Sequence, residues 1–353
     1  MRYLITGHTG FKGAWLTVML RHLGHQVSGI ALDPLPGSLF EQAALQRELD
    51  NDVRLDIREY SALQSAIHDI APDVVVHLAA QPLVRESYRD PRTTIETNVN
   101  GTLNVLQATS TVPSVQAQLI VTTDKVYKNT NKHTGYVETD PLGGHDPYSA
   151  SKAAADLLTQ SWTASFPGPP TAIARAGNVI GGGDVSPERL LPDLLNAYAA
   201  GKPATLRYPD AVRPWQHVLD CLNGYLTIIN ALLNGHPHAA TPWNIGPTDT
   251  HTATVGDIAT RVAQLWGNGA SWTTTPQPQP PETGYLTLDA TRARTNLNWT
   301  DKLSLDEALT WTINWHKALR QGGEAQHTML EQVSIHRTMT ANRAGFGSAS
   351  ADA

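Results

Sequence analysis

Short β-branched apolar runs alternate with longer helical patterns in the first half of the chain, and this alternation restricts the fold more than any other feature. The predicted strands are RYLIT, QVSGIAL, DVRLD, DVVVHLAA, QLIVTT and TAIARAG, with helices near 12–23 and 59–70, from Pro91 and from Pro147. Hydrophobicity is continuous along these strands, which is typical of strands buried on both faces. The pattern predicts an α/β fold with a doubly wound parallel Rossmann sheet.

The order of elements changes after about residue 177. Helices are predicted near 190–200, 218–233, 253–266 and 304–320, and short strands at ATLRY and PWNIG. We therefore expect a Rossmann domain over 1–177 and, over 178–333, mainly a smaller mixed α/β substrate-binding lobe, part of which returns to the sheet. The Pro- and Gln-rich segment 273–282 predicts a surface loop, and 334–353 a disordered tail.

Charge and composition argue against several partners. The net charge of −6 over 353 residues gives no broad attraction for nucleic acid or an anionic membrane. Cys221 is the sole cysteine, so no intramolecular disulfide can form. No secretory signal or long apolar run is present, and the 14 histidines show no paired metal-ligand spacing. We expect a cytoplasmic protein without a bound metal.

The segment ITGHTGFKGAW follows the first strand and opens the first helix, with glycines at Gly7, Gly10 and Gly13. Such glycines permit a tight turn, close approach of a diphosphate and close packing of helix on strand, while the helix N-terminus supplies N–H donors. Asp33 follows the second strand, where a carboxylate accepts hydrogen bonds from an adenine ribose and repels a 2′-phosphate. The combination predicts NAD as cofactor; the alternative is a simple turn with Asp33 as a cap.

Two further segments carry reactive side chains. HDPYSASK places Tyr148 and Lys152 four residues apart on one helix face, where the ammonium would lower the pKa of the phenol and let it act as a general base. LIVTTDKVY ends an apolar strand with Thr123 and then sets Asp124 beside Lys125. Burying either charge is costly without a partner or a task, so this strand end predicts a reacting centre.

The remaining cofactor candidates follow strand ends: Asp56 and Ile57 near adenine, and Ala79 and Ala80 beneath the dinucleotide, although each could equally be plain packing. Asn98 is a poor helix former and could be structural support. The full set predicted to bind the cofactor is Gly7, Thr9, Gly10, Phe11, Gly13, Asp33, Asp56, Ile57, Leu78, Ala79, Ala80, Asn98, Thr122, Tyr148 and Lys152.

Through TGHTGFKG, HLAAQ, YSASK and WNIGP the chain resembles the extended short-chain dehydrogenase/reductase superfamily. More narrowly it resembles the CDP-glucose 4,6-dehydratase group, through HLAAQPLVRESYRDPRTTIETNVNGT, TTDKVYKN, ARAGNVIGGGD and AVRPWQHVLD, over nearly the whole chain to about residue 333. The resemblance implies a redox-neutral lyase holding NAD that converts CDP-D-glucose to CDP-4-dehydro-6-deoxy-D-glucose and water.

The resemblance also implies roles for the reactive residues. Tyr148, helped by Thr123, removes the proton of the sugar 4-hydroxyl, and Asp124 is the acid that protonates the departing 6-hydroxyl. Lys125 stands where the dTDP-glucose enzymes have Glu. It is either a neutral base at C5 or a charged group that stabilises the C5 enolate; the sequence leaves both open.

Candidate substrate contacts are Gln81, Arg85, Asn178, Arg189, Arg207 and Arg213, because guanidinium groups match phosphate oxygens. The family further implies a homodimer through two long helices, one containing Tyr148, and a place in deoxysugar biosynthesis such as that of lipopolysaccharide O-antigen. The alternatives are a nucleotide-sugar 4-epimerase, a 4,6-dehydratase of another nucleotide sugar, and a non-enzymatic NAD-binding scaffold.

Overall fold

The structure is a computed structural model that describes residues 1–247, 252–275 and 283–339. The strands are β1 (Arg2–Thr6), β2 (Gln26–Ala31), β3 (Asn51–Arg54), β4 (Val74–His77), β5 (Ala117–Val121), β6 (Thr171–Ala176), β7 (Asn178–Ile180), β8 (Ala204–Leu206), β9 (Val212–His217), β10 (Pro242–Ile245), β11 (Thr252–Thr254) and β12 (Trp272–Thr274). The helices are α1 (Phe11–His22), α2 (Leu39–Gln42), α3 (Tyr60–Ile70), α4 (Val84–Arg89), α5 (Pro91–Ile95), α6 (Gly101–Ser110), α7 (Pro147–Ser165), α8 (Leu190–Ala199), α9 (Val218–Leu233), α10 (Val255–Trp266), α11 (Thr291–Leu297), α12 (Leu305–Arg320) and α13 (Ala325–Thr338).

Seven strands form one sheet in the order β10-β6-β5-β4-β1-β2-β3, and every neighbouring pair is parallel. The predicted α/β fold with a doubly wound parallel Rossmann sheet is confirmed. The strand order reverses between β1 and β4, and ligands of open α/β sheets bind in the crevice at that point. All the predicted cofactor and reacting segments that follow β1 to β5 therefore share one edge of the sheet.

The sheet is held by an apolar core on both faces. β4 carries three fully buried valines, and β5 is buried along its whole length. Trp15 and Leu16 of α1 pack in one cluster with α9 and with Met329 and Val333 of α13. The C-terminal helix thus completes the layer around the helix that begins at the glycine turn.

The later part of the chain forms two smaller sheets, β11-β9-β7 and β12-β8, and returns once to the main sheet. The returning strand is β10, which pairs with β6. Helices α8, α10 and α12 pack around a second apolar cluster that includes Trp215 and Trp266. This lobe carries the arginines predicted to bind substrate, apart from Arg85.

The predicted tail beginning at residue 334 is wrong at its start, because α13 continues to Thr338. His336 is 1% exposed, and its Nε2 lies 2.8 Å from a carboxylate oxygen of the equally buried Asp220. The predicted loop 273–282 also differs at its start, because β12 pairs with β8 there. The rest of both segments, 276–282 and 340–353, lies outside the described residues.

Within the part of the chain that the structure describes, every helix is too short or too polar to cross a bilayer.

Candidate active site

The glycine turn after β1 leaves a cradle of bare backbone. Gly7 has φ +79° and donates its N–H to the Ile30 carbonyl at 2.8 Å. A Cβ on Gly7 would lie 2.7 Å from the Ala79 nitrogen, and one on Gly13 would lie 2.3 Å from the Gly7 carbonyl oxygen. Any side chain at these positions would therefore fill the space between β1, α1 and the end of β4. The residues present fit the diphosphate of a dinucleotide at the N-terminus of α1.

Asp33 lies at the outer edge of this cradle with 89% of its side chain exposed. Nε of Arg54 is 3.9 Å from its carboxylate, and the Arg54 guanidinium is itself fixed by a 2.7 Å ion pair with Asp52 and by stacking over Phe40. Thr9 donates its hydroxyl proton to the Leu32 carbonyl and ties the glycine turn to this edge. The position predicted to bind the ribose thus holds one exposed carboxylate with a fixed cation beside it.

Three other residues predicted to bind the cofactor, Asp56, Ile57 and Leu78, make contacts within the protein that have a structural role. Asp56 accepts hydrogen bonds from the backbone and side chain of Arg58, which lower the pKa of Asp56. Ile57 is buried in the core, and Gly101 gives it room. Leu78 packs on the apolar core after β4. These positions are compatible with a cofactor, but packing alone accounts for them.

Asn98 and Gln81 hold the loop after β4. The Asn98 side chain accepts from the Gln81 backbone N–H at 2.8 Å and donates to the Gln81 carbonyl and to Ser151. The Gln81 amide is bonded to Leu83 and Thr94 in turn. Gln81 does not line the cavity that contains Asp124 and Tyr148, so the structure does not bring this predicted substrate residue to these reactive groups. The hydrogen bonds of Asn98 to the Gln81 backbone and to Ser151 are those of a residue that supports the loop structurally, as suggested for Asn98.

A cavity of about 650 Å³ lies between the carboxyl end of β5 and the second lobe. Phe11, the first residue of α1, reaches Gly181 beside it. The predicted residues that line this cavity are Arg85, Thr122, Thr123, Asp124, Lys125, Tyr148, Asn178, Arg189, Arg207 and Arg213. The structure therefore brings the segment Thr123–Lys125, called the reacting turn below, and most of the predicted substrate contacts to the same cavity.

Asp124 is the most constrained member of the reacting turn. Its carboxyl is 1% exposed; Oδ1 accepts a hydrogen bond of 2.9 Å from the Thr123 hydroxyl, and Oδ2 has no hydrogen-bond partner among the described residues. Burial raises the pKa of Asp124, while Lys125, the Thr123 hydrogen bond and Arg213 oppose that shift. A carboxyl that keeps its proton more readily is suited to act as an acid, as the sequence argument required.

Tyr148 and Lys152 lie on the buried face of α7, as their spacing predicted, but their coupling differs from the expectation. Burial raises the pKa of Tyr148 to about 12, and the opposing groups are Arg189 and the Thr123 hydrogen bond rather than Lys152. Nζ of Lys152 donates to the Val121 carbonyl at 2.8 Å. Burial and Lys12 lower the pKa of Lys152 to about 8. The lysine is thus anchored to the end of β5.

Glu188 organises several arginines at the far side of the cavity. Its carboxylate lies 2.8 Å from Arg89 and 3.4 Å from Arg85, and its carbonyl accepts from Arg207 at 2.9 Å. The Glu188 backbone is left-handed, with φ +62°, a conformation that non-glycine residues seldom adopt. No sequence pattern pointed to Glu188, because the two arginines that pair with its carboxylate, Arg85 and Arg89, lie about 100 positions away.

Arg189 and Arg213 lie closer to the reacting turn. Arg189 is 3.6 Å from Asp184, and its charge lowers the pKa of Tyr148. Arg213 is 4% exposed, donates to the Val212 carbonyl, and lowers the pKa of Asp124. Asn178, the first residue of β7, lines the same cavity. These cations can meet an anionic ligand beside the reacting groups.

Lys12 is a residue of this site that sequence reasoning missed. It stands in the first turn of α1, donates to the Tyr225 hydroxyl at 3.1 Å, and lines the cavity. Burial lowers the pKa of Lys12, and Cys221 and Asp124 oppose that shift. The available signal was a lysine between Gly10 and Gly13, in a turn otherwise built of small and apolar residues.

The comparisons with known proteins agree with this architecture. The profile of the NAD dependent epimerase/dehydratase family matches residues 3–246. This chain belongs to that family. Family membership confirms the predicted extended short-chain dehydrogenase/reductase resemblance and the NAD prediction.

One relative in the family is similar along the whole chain. It is the CDP-glucose 4,6-dehydratase of Salmonella typhimurium, which is 39% identical over 348 residues, 96% of this chain and 97% of that protein. Two solved structures share the fold. The dTDP-glucose 4,6-dehydratase of Bacillus anthracis, solved with NAD, has a TM-score of 0.77 at 22% identity and covers 92% of this chain and 99% of its own. The UDP-glucuronic acid 4-epimerase of Bacillus cereus has a TM-score of 0.78 at 24% identity and covers 90% of this chain and 100% of its own.

No cluster of three or more His, Cys, Asp or Glu side chains suited to a metal ion occurs among the residues that the structure describes.

Proposed function

We propose that this family member is a 4,6-dehydratase that converts CDP-D-glucose to CDP-4-dehydro-6-deoxy-D-glucose and water. The observation that carries the proposal is the buried Asp124 carboxyl, whose Oδ2 has no hydrogen-bond partner among the described residues, beside Lys125 on the wall that also holds Tyr148. Elimination of water needs an acid next to a sugar hydroxyl, and this carboxyl meets that need. The 39% identity to the Salmonella enzyme supports CDP-glucose as the substrate.

The residues that would hold NAD are those of the glycine turn, with Asp33 at the ribose and Lys152 near the nicotinamide end. The bound cofactor supplies the hydride acceptor, and later the hydride donor, of a cycle without net oxidation. Tyr148 takes the proton of the sugar 4-hydroxyl. Arg189 favours the phenolate this requires, because its positive charge opposes the effect of burial on the Tyr148 pKa.

The elimination step belongs to Asp124 and Lys125. Oxidation at C4 acidifies the hydrogen on C5; that proton is removed, Asp124 gives its own proton to the 6-hydroxyl, and water leaves from C6. Lys125 takes part at C5, either by accepting the proton while neutral or by stabilising the enolate with its charge while a water takes the proton. Hydride then returns to C6 while C5 takes back a proton, and the proton gained by Tyr148 replaces, through solvent, the one that Asp124 gave up, so atoms and charge balance.

The diphosphate of the substrate is assigned to the arginine-lined part of the cavity. Guanidinium forks bind phosphate oxygens in a bidentate manner. Arg189 and Arg213 are the nearest to the reacting turn, and Arg85 and Arg207 extend the positive surface towards Glu188.

We extend the proposal to a homodimer built on the α5–α7 face, a cytoplasmic location and a role in deoxysugar biosynthesis such as that of lipopolysaccharide O-antigen. Ile95 of α5 is 49% exposed and Leu157 of α7 is 54% exposed, and the two helices pack side by side. Exposed apolar side chains on adjacent helices favour an interface with a second copy.

Incubation of the purified protein with NAD and CDP-glucose tests the proposal. Dehydration gives a product lighter by one water, read by mass spectrometry, and parallel incubations with dTDP-, UDP- and GDP-glucose establish the base preference. An isomer of unchanged mass would instead make the protein a 4-epimerase. Absence of turnover with all four sugars, despite NAD binding, would favour a scaffold.

A further inference from the structure

A buried ion pair joins α7 to β6. Nε of Arg175 lies 2.8 Å from Oδ2 of Asp156, and Nη2 lies 2.7 Å from Oδ1, with both side chains 1% exposed or less. Removing two charges from water is costly, and such a pair adds little stability compared with apolar packing of the same volume. Stability alone therefore does not explain why a bidentate ion pair is buried between α7 and β6.

The pair holds both ends of the reacting turn. The Thr122 hydroxyl, immediately before the turn, donates to Oδ2 of Asp156 at 3.1 Å. Nη1 of Arg175 donates to the Tyr127 hydroxyl, at the end of the turn, at 3.0 Å. Tyr127 is then fixed by a 2.6 Å bond to Asn244 of β10. The segment that carries Asp124 and Lys125 is thus tied at its two ends to one carboxylate–guanidinium pair.

One member of the pair, Asp156, belongs to α7, the helix that also carries Tyr148 and Lys152. Asp156 lies one helical turn after Lys152 and two after Tyr148, on the buried face of α7. Two ionisable groups from other elements interact electrostatically with Lys152. Lys12 of α1 lowers the pKa of Lys152, and Lys152 in turn lowers the pKa of His77 of β4. Asp156 opposes Lys12 by favouring the charged form of Lys152.

We propose that Asp156 and Arg175 form a positioning pair that fixes the Thr123–Lys125 turn relative to Tyr148 and Lys152. The pair contacts no substrate atom in this assignment and acts through Thr122, Tyr127 and α7. The inference rests on the proposed dehydratase function, since it concerns the alignment of that function's acid and base.

The experiment uses the full-length protein with NAD and compares Asp156→Asn with Tyr127→Phe. Asp156→Asn removes the charge, whereas Tyr127→Phe removes only the hydroxyl that links Arg175 to the turn and keeps the buried ring. Asp220→Asn is the matched control, because Asp220 is equally buried and its partners are His336 and the backbone of Lys302 and Leu303. Each protein is assayed with CDP-glucose for kcat and KM across pH and for thermal unfolding.

In Asp156→Asn we expect kcat to fall about tenfold or more, with KM within about twofold, because transition-state alignment is lost while substrate contacts remain. The alkaline limb of the profile should move to lower pH, since losing the Asp156 charge lowers the pKa of Lys152 and the charged form is the active one. Tyr127→Phe should lower kcat without moving that limb. Asp220→Asn should lower the unfolding temperature with kcat and the limb unchanged.

A purely structural role predicts another result: both network variants unfold earlier, while kcat and the alkaline limb match those of Asp220→Asn. That outcome overturns the inference. Should Asp156→Asn fail to fold, Tyr127→Phe decides alone, and wild-type kcat in that variant overturns the inference. Wild-type protein without dehydratase activity would refute the proposed function instead, so the two failures are distinguishable.

Discussion

The Thr123 hydroxyl donates a 2.9 Å hydrogen bond to one oxygen of the Asp124 carboxyl, and the other oxygen of that buried carboxyl is left without a hydrogen bond among the described residues. The protein thus satisfies one oxygen of the carboxyl, and Asp124 belongs to the lining of the cavity of about 650 Å³. Burial raises the pKa of Asp124 against the opposing effects of Lys125, this hydrogen bond and Arg213, so the folded protein binds this proton more tightly than the unfolded chain.

Asp124→Asn should therefore stabilise the protein while removing activity. The unfolded Asp ionises near pH 3.9, and the raised pKa in the folded state means that stability is lost as pH rises from that value through the folded pKa. Asn cannot ionise, so the gain in unfolding temperature should be larger at pH 8 than at pH 4. Product formation should fall by about 100-fold or more. An equal gain in unfolding temperature over wild type at both pH values would contradict the assigned proton affinity.

Lys125→Met should separate oxidation from elimination. The variant keeps Tyr148, Lys152 and the glycine turn, so we expect a sugar oxidised at C4 to form in rapid-quench samples while release of water collapses. The matched control is Lys128→Met, since Lys128 is an exposed lysine three residues further along that does not line the cavity. Wild-type turnover in the Lys125 variant would show that this residue is a bystander.

Asp33→Ser should relax the selection against a 2′-phosphate. Arg54 already lies 3.9 Å from Asp33 and is fixed by Asp52 and Phe40, so removing the carboxylate leaves an oriented cation at the ribose edge. We expect calorimetric titration to show weaker binding of NAD and binding of NADP tightened by about tenfold. Asp69→Ser, at an exposed carboxylate of α3, provides the control. Unaltered NADP affinity in Asp33→Ser would show that Arg54 is not placed to accept the phosphate.

His336→Ala should destabilise the fold without changing the chemistry. The substitution leaves the buried Asp220 carboxylate short of one partner, and loss of such a partner typically costs about 2–4 kcal/mol. His327→Ala, at an exposed position of the same helix, should stay within about 0.5 kcal/mol of wild type. Denaturant unfolding measures both. A His336→Ala variant as stable as the control would mean that the contact between His336 and Asp220 does not help to hold α13 in place.

The main sheet and its site could be predicted because the information is local. Continuous apolar runs identified β1, β4 and β5. The turn glycines, Asp124 and Tyr148 could each be recognised from a short motif around them. Strand ends of a parallel sheet share one edge, so local motifs sufficed to predict that these residues meet.

Other features depend on partners far apart in the chain. The network of Asp156 and Arg175, the arginine cluster around Glu188 and the burial of Lys12 against Tyr225 are set by tertiary packing, which a single sequence does not reveal. The continuation of α13 was missed for the same reason, since its polar sequence is compensated by Asp220 and by the core at Val333. Spacing on a helix predicted the buried face that Tyr148 and Lys152 share, but it did not reveal the hydrogen bond that Lys152 makes with Val121.

The packing of α13 on α1 also constrains how the protein matures during translation. α1 begins at the glycine turn near the N-terminus, yet part of its apolar surface is covered by Met329 and Val333. A ribosome-bound chain lacks that cover until the residues as far as Val333 have emerged. Until α13 has been synthesised, the apolar surface of α1 around Trp15 is therefore incompletely buried in the nascent Rossmann domain.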